Sequence, residues 1–305
     1  MTAALTAVAS ELGGREAEAA RRRSRIAWVL LSPGLVYLVL FFVAPVAVLL
    51  LVSFYERVPG GAVGQTAPAF RVANYSDAIV EYAPQFGRSL LFALIATVLT
   101  LAIGYPLAYV IGVRARNRPL LQGLMLVLVI APFFTSFVLR TIAWKQILAD
   151  QSIVVSVLKA LALLPADARL TATPFAVVAG LTYNFLPFMT LPLFASLERL
   201  DVRLIEASAD LYASPIVTFR RVTLPLTMPG IVSGSLLTFI PAAGDYVNSS
   251  LLGTTGTSMI GNVIDARFFR VVDYPTAAAL SVMLMAGILV LVAWYVRRAG
   301  TEDLL

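Results

Sequence analysis

The sequence predicts an all-α membrane protein with six transmembrane helices and both termini in the cytoplasm. Hydrophobic residues make up 59% of the 305 and charged residues only 13%, where a soluble domain carries about 25% charged residues. Six windows of roughly 20 mostly apolar residues each match the length a helix needs to cross about 30 Å of hydrocarbon. Most of the 23 Lys and Arg fall in short segments on one side of those windows, the side that the positive-inside rule places in the cytoplasm. A β-barrel would instead show short alternating segments, so helices are expected.

Residues 1–25 read as a basic cytoplasmic tail, with an Ala-, Glu- and Gly-rich start expected to be disordered. The first span, about 28–52, follows Arg21, Arg22, Arg23 and Arg25. It is about twice as long as a signal-peptide core and lacks a clear small-x-small cleavage site before Glu56. An external loop near Ser53 to Gly87 leads to a second span at about 90–113, broken by Gly104 and Pro106. A short basic turn with Arg114, Arg116 and Arg118 precedes the third span, about 120–139, which contains Pro132. Arg140 at its end is expected to snorkel to the interface. The fourth span, about 175–197, carries Tyr183, Asn184, Pro187 and Pro192. The fifth, about 231–252, contains Pro241, Gly244 and Asp245, and the sixth covers about 276–296. An external interfacial helix is expected over Ile260 to Phe269, and residues 299–305 form a short cytoplasmic tail. Trp28, Trp144, Trp294 and Tyr295 sit at span ends, where amphipathic rings anchor at the headgroup boundary.

Composition also excludes chemistry. The chain has no Cys and no His, which removes disulfides, thiol nucleophiles, soft-metal sites and imidazole acid-base catalysis. The two lysines, Lys145 and Lys159, follow Trp144 and Leu158 rather than Gly, so no G-K-[ST] phosphate loop exists. No catalytic residue, metal or cofactor is expected, and the net charge of +6 reports membrane topology rather than nucleic-acid binding.

The most informative segment lies between the fourth and fifth spans, over residues 198–228. Leu197, Leu200, Leu204, Ala207, Ser208 and Leu211 recur at spacings of three and four, with Glu198, Arg199, Asp201, Arg203, Glu206 and Asp210 around them, the pattern of an amphipathic helix. A second helix should start at Ser214-Pro215, because Ser caps first-turn amides and Pro suits the first helical position. It should end at Arg220-Arg221, with Leu224-Pro225 and Met228-Pro229 turning the chain back into the membrane.

Glu206-Ala207-Ser208, Tyr212 and Val222-Thr223-Leu224-Pro225 resemble the EAA motif of ABC importer permeases: E-A-A, three residues, G, nine residues, I-x-L-P. Ser208 replaces the second Ala, and Tyr212 stands at the Gly position, where a positive φ strains Tyr and should shift the bend toward Ala213-Ser214. Leu186-Pro187-Phe188-Met189, Pro192-Leu193, Leu197-Glu198, Leu224 to Gly230 and Ile260 to Ile264 are similar to spermidine/putrescine-type permeases, with Asn74-Tyr75 and Gly104-Tyr105-Pro106 adding to the likeness.

The resemblance implies a type I importer permease domain over 26–298 in the bacterial inner membrane. It implies a heterodimer with a second permease subunit, two cytoplasmic ATPase subunits, and a periplasmic solute-binding protein. ATPase coupling would fall to Glu206, Ala207, Ser208, Asp210, Tyr212, Pro215, Leu224 and Pro225, and the solute would be a polyamine such as spermidine or putrescine. An importer of an amino-acid derivative, opine or metal is the alternative, as is an ion-coupled secondary transporter acting alone.

Asp245, Tyr183 and Asn184 are the pathway candidates. An ionisable group at membrane depth normally faces a cavity or a partner, so Asp245 either meets a cationic solute or caps a turn where the helix breaks. Tyr183 and Asn184 offer polar contacts to a solute, or bond between helices.

Overall fold

The computed structural model describes residues 28–299. The tail over 1–25 and most of the segment 299–305 lie outside the described residues. Among the described residues the regular structure is helical apart from a two-stranded antiparallel ribbon, β1 (Glu56–Arg57) with β2 (Thr66–Ala67), pairing Glu56 with Ala67 and Arg57 with Thr66.

Helix α1 (Trp28–Val52) is continuous, and its most apolar stretch buries none of its residues within the chain. A π-helical turn over Val39–Val43 precedes Pro45, with Ala44 N donating to Val39 O. The widened turn accommodates a proline that has no amide and crowds the carbonyl four residues back. Helix α2 spans 42 residues, Ala73–Arg114, about 60 Å at 1.5 Å per residue and well beyond a bilayer core. The external loop expected up to Gly87 is therefore shorter, because the chain is helical from Ala73. Its start is fixed to the end of α1: Asn74 donates to Ser53 O (2.9 Å) and Tyr55 O (2.8 Å), and the Tyr75 and Ser53 hydroxyls lie 2.6 Å apart. Asn74-Tyr75 thus sets where α2 begins.

The third window is broken rather than continuous. Helix α3 (Pro119–Phe134) turns by 98° into α4 (Phe137–Ile147). Pro132 withdraws a donor, the last turn tightens to 3-10 geometry, and Thr135 donates both its amide (3.1 Å) and its hydroxyl (2.7 Å) back to Pro132 O. Short α5 (Ile153–Ala160) follows, capped by Ser152 Oγ accepting from Val155 N at 3.1 Å.

Helix α6 (Pro174–Glu198) leads into α7 (Val202–Asp210) and α8 (Pro215–Leu226), and α8 bends by 68° at Thr227 into α9 (Met228–Ala243). Short α10 (Val247–Leu252) and α11 (Ile260–Asp265, continued by a π turn over Ala266–Arg270) precede α12 (Tyr274–Ala299). Among the described residues four helices are long and apolar enough to cross a membrane, and six crossings result if each bent pair counts as one.

The centre is a three-helix packing of α2, α6 and α9. Ala93, Ala96, Gly104 and Ala108 on α2 and Gly230 and Gly234 on α9 are buried, letting backbones approach where the hydrophobic effect cannot drive association. A β-carbon on Gly230 would stand 2.8 Å from Pro192 O, and one on Gly234 3.1 Å from Met189 O. Pro187 and Pro192 are accommodated inside α6 without ending it. An apolar cleft of about 620 Å³, lined by Leu94, Val98, Phe239 and Trp294 among others, opens between α2, α9 and α12.

Helix α11 does not lie loosely at an interface. Ile260 is fully buried, its amide donates to Ser89 Oγ at 2.7 Å, and Arg267 clamps α2. Arg267 Nε donates to the Tyr82 hydroxyl (2.9 Å), Nη2 to Glu81 (2.9 Å), and Nη1 lies 3.7 Å from Asp273. Burial works against the guanidinium charge, but Tyr82, Glu81 and Asp273 outweigh it and hold the Arg267 pKa above its ordinary value.

Candidate functional site

Helices α7 and α8 form a projecting element. Asp201 caps α7 by accepting from Arg203 N at 3.0 Å. The apolar stripe expected over one helix from Leu197 to Leu211 is therefore divided at 199–201: Leu197 and Leu200 are buried with α6, while Leu204 and Ala207 on α7 and Leu211 just past it are exposed. The expected shift of the bend away from Tyr212 does not occur. Tyr212 holds φ +56°, and two amide bonds close the helix end, Ala213 N to Ser208 O (3.1 Å) and Tyr212 N to Ala209 O (2.9 Å). This is the paired capping pattern ordinarily built on Gly. The Tyr212 side chain, 98% exposed, has nothing to clash with.

Ser208, the departure from a second Ala, has a structural use. Its hydroxyl lies 2.8 Å from that of Thr218 on α8, both buried, and also donates to Ile205 O at 2.8 Å. The two short helices are thus stapled face to face. Ser214 caps α8 as expected, with Pro215 in the first turn. Arg220-Arg221 and Leu224-Pro225 do not end it. A π turn over Phe219–Thr223, closed by Leu224 N to Phe219 O, lets helix continue past Pro225 to Leu226, and Thr227 makes the bend. Glu206, Asp210, Leu211, Tyr212, Pro215, Ile216 and Pro225 face outward and Leu224 is half-buried. Glu206 forms no ion pair among the described residues. The outward surface combines apolar side chains with a free carboxylate.

A second cluster lies where α4, α6 and α10 meet. Asp245 follows the end of α9 and accepts from Asn248 N at 2.8 Å, capping α10. Asn184 donates to Asn248 Oδ1 (3.0 Å) and to Thr141 Oγ1 (3.1 Å), and Thr141 lies 3.3 Å from the same Asn248 oxygen. Asn248 therefore joins two of the pathway candidates, Asp245 and Asn184, in one buried network. Asn184 Oδ1 and Asn248 Nδ2 have no partner among the described residues. Tyr183 stands apart, half-buried with its ring 5.4 Å from Trp144, so Trp144 packs inward instead of anchoring at an interface.

Arg140 corrects the sequence reading. It is only 8% exposed, its guanidinium lies 5.9 Å and 5.6 Å from the ring centres of Phe133 and Phe137, and Nε and Nη1 find no acceptor among the described residues. The 98° bend turns α4 inward and takes Arg140 with it, whereas a straight span would have delivered it to an interface. Thr141, Asn248, Thr218 and Thr227 were also missed, since short polar residues within apolar runs carry no periodic signal.

No family model matches the chain. Among curated proteins it is 38% identical to the Escherichia coli spermidine/putrescine transport system permease protein PotB, over 86% of this chain and 94% of that protein. The Haemophilus influenzae PotB is 37% identical over 86% and 90%. The chain belongs to the PotB family of ABC transporter permeases. More distantly, it is 32% identical to the Escherichia coli inner membrane ABC transporter permease protein YdcU, over 77% of this chain. Among solved structures, a bacterial alginate ABC transporter with its periplasmic protein superposes with a TM-score of 0.66, covering 93% of this chain and 96% of that one at 16% identity. The MetNI methionine transporter gives 0.52 over 72% and 95%. The fold is thus the multi-spanning all-α fold of ABC importer permeases, and as a PotB-family member the chain is a non-catalytic transport subunit of the membrane.

Proposed function

We propose that this PotB-family chain carries a small amine, a polyamine such as spermidine or putrescine, across the bacterial inner membrane. The permease domain covers 26–298, has six spans in the type I arrangement, and keeps both termini in the cytoplasm. The two bent helix pairs each count as one crossing, and the basic turns set the orientation. A second permease subunit completes the pathway, a periplasmic binding protein delivers solute, and two cytoplasmic ATPases drive the cycle. The unburied α1 and the apolar cleft between α2, α9 and α12 support a second subunit, since both offer lipid-compatible surface to another helix.

The observation that carries this reading is the stapled α7–α8 element at the EAA motif. It presents Glu206 and an unpartnered apolar stripe on a rigid pair of short helices, the helix-in-groove mode of recognition. Glu206 meets a basic partner on the ATPase, Ala207, Leu211 and Tyr212 meet its groove, and Ser208 and Pro215 keep the two helices in register. Leu224 and Pro225 form the last turn of α8, ahead of the bend at Thr227 that leads back into the membrane. ATP, by favouring one arrangement of the ATPase pair, shifts the permease between inward-open and outward-open states. The network of Asp245 and Asn184, with Tyr183 on the neighbouring face of α6, borders the solute route, where short polar groups at helix breaks serve a hydrated amine.

The deciding experiment reconstitutes the chain with its second permease, ATPases and binding protein in proteoliposomes and measures spermidine uptake with ATP supplied at the coupling-loop side. Glu206→Ala should insert normally, lose ATPase co-purification and lose uptake. Uptake driven by an ion gradient in vesicles holding this chain alone would refute the proposal.

A further inference from the structure

The α7–α8 element joins the spans through two bends, at 199–201 and at Thr227, and each bend alone would let it swivel. Both are held from a third helix. At the first, Arg116, in the turn after α2, donates Nη1 to Leu200 O (3.0 Å) and Nη2 to Glu198 O (2.8 Å), carbonyls at a helix end that lack helical partners. At the second, the Tyr105 hydroxyl of α2 lies 2.7 Å from Thr227 Oγ1, and the Tyr105 ring meets Phe219 of α8 edge-on at 5.3 Å. Tyr105 is 8% exposed and Thr227 fully buried. Thr227 Oγ1 also donates to Thr223 O at 2.8 Å, so the Tyr105 hydroxyl is not needed to satisfy it as a donor. The Ser208–Thr218 staple makes the element one body between these two attachments.

We infer that Tyr105 and Arg116 are positioning residues that tie the ATPase-driven movement of the α7–α8 element to α2. The inference rests on the reading above that the element receives the ATPase. Through these two points a rotation of the element turns α2 along with α6 and α9, where otherwise the bends would absorb it. A two-carbonyl grip needs the planar fork of Arg, which Lys does not supply. A buried hydroxyl pair fixes distance and direction where packing alone permits sliding.

The test uses the assembled complex in proteoliposomes, with radiolabelled spermidine uptake and ATP hydrolysis measured in the same vesicles. Tyr105→Phe and Arg116→Gln should keep the ATPases bound and hydrolysing, while spermidine moved per ATP falls about fivefold, the low end of ordinary coupling between sites. Arg116→Lys should behave like Arg116→Gln. An unchanged ratio overturns the inference, and so does loss of ATPase co-purification in step with uptake, which would mark a folding or docking role. If the unsubstituted complex hydrolyses ATP yet moves no spermidine, the solute reading fails separately. The inference is then decided by the ATP-driven distance change between spin labels at Val80→Cys on α2 and Arg220→Cys on α8, unique sites because the chain has no cysteine. Because the tie makes α2 follow the element, that change should be small in the unsubstituted chain and at least double in Tyr105→Phe, and an unchanged value overturns the inference.

Discussion

Tyr212 shows how a single residue can depart from its motif and keep the geometry. Its left-handed backbone costs about 1–2 kcal/mol in a residue with a β-carbon, offset by the two amide bonds that close α7. Tyr212→Gly should therefore slow amide exchange at Ala213 in the isolated chain, the Gly gain being partly cancelled by greater freedom in the unfolded chain. Tyr212→Val, β-branched at positive φ, should speed the same exchange. Arg267 offers a second case: Arg267→Met leaves Tyr82, Glu81 and Asp273 without their shared donor and should lower the stability of the detergent-solubilised chain by about 1–3 kcal/mol, read from thermal unfolding. Charged loop positions and caps such as Ser214-Pro215 were legible in the sequence, because their chemistry acts within a few residues. Arg140 was not, since its burial depends on a bend whose angle no residue type specifies.

The elements follow the apolar windows closely wherever one straight helix suffices. Windows 28–52 and 175–197 correspond to Trp28–Val52 and Pro174–Glu198. Prolines announced distortion without saying which kind. Pro45 and Pro225 each follow a π turn and stay in helix, Pro187 and Pro192 pass within α6, Pro132 lies at the 98° bend and Pro229 just past the 68° one. At Pro132 the turn is closed by Thr135, whose hydroxyl donates to the proline's own carbonyl. Packing of α6 on α9 depends on absent side chains. Gly230→Val should force the two helices apart and cost about 1–3 kcal/mol, seen as a lower aggregation temperature in detergent, whereas Gly287→Ala on α12, with open space around it, should leave that temperature unchanged.

At the scale of the whole molecule, the composition announced a membrane protein and the EAA spacing singled out the segment over 198–228, but the relation of that segment to α2 could not be read. Arg116 and Tyr105 are 84 and 122 residues from their partners Leu200 and Thr227, a separation that local pattern does not bridge. The chain also leaves α1 uncovered. Co-expression with its second permease should therefore protect α1 from proteolysis and raise the recovered amount of this chain, measured by immunoblot of membranes. Finally, α2 is one unbroken rod held near both ends, through Tyr105 and Arg116 toward one and through the Arg267 contacts to Glu81 and Tyr82 toward the other. A tilt of about 10° about its midpoint would swing each tip of a rod about 60 Å long through roughly 5 Å in opposite directions. Such a seesaw delivers a push applied on one face of the membrane to the opposite face without any intermediate relay.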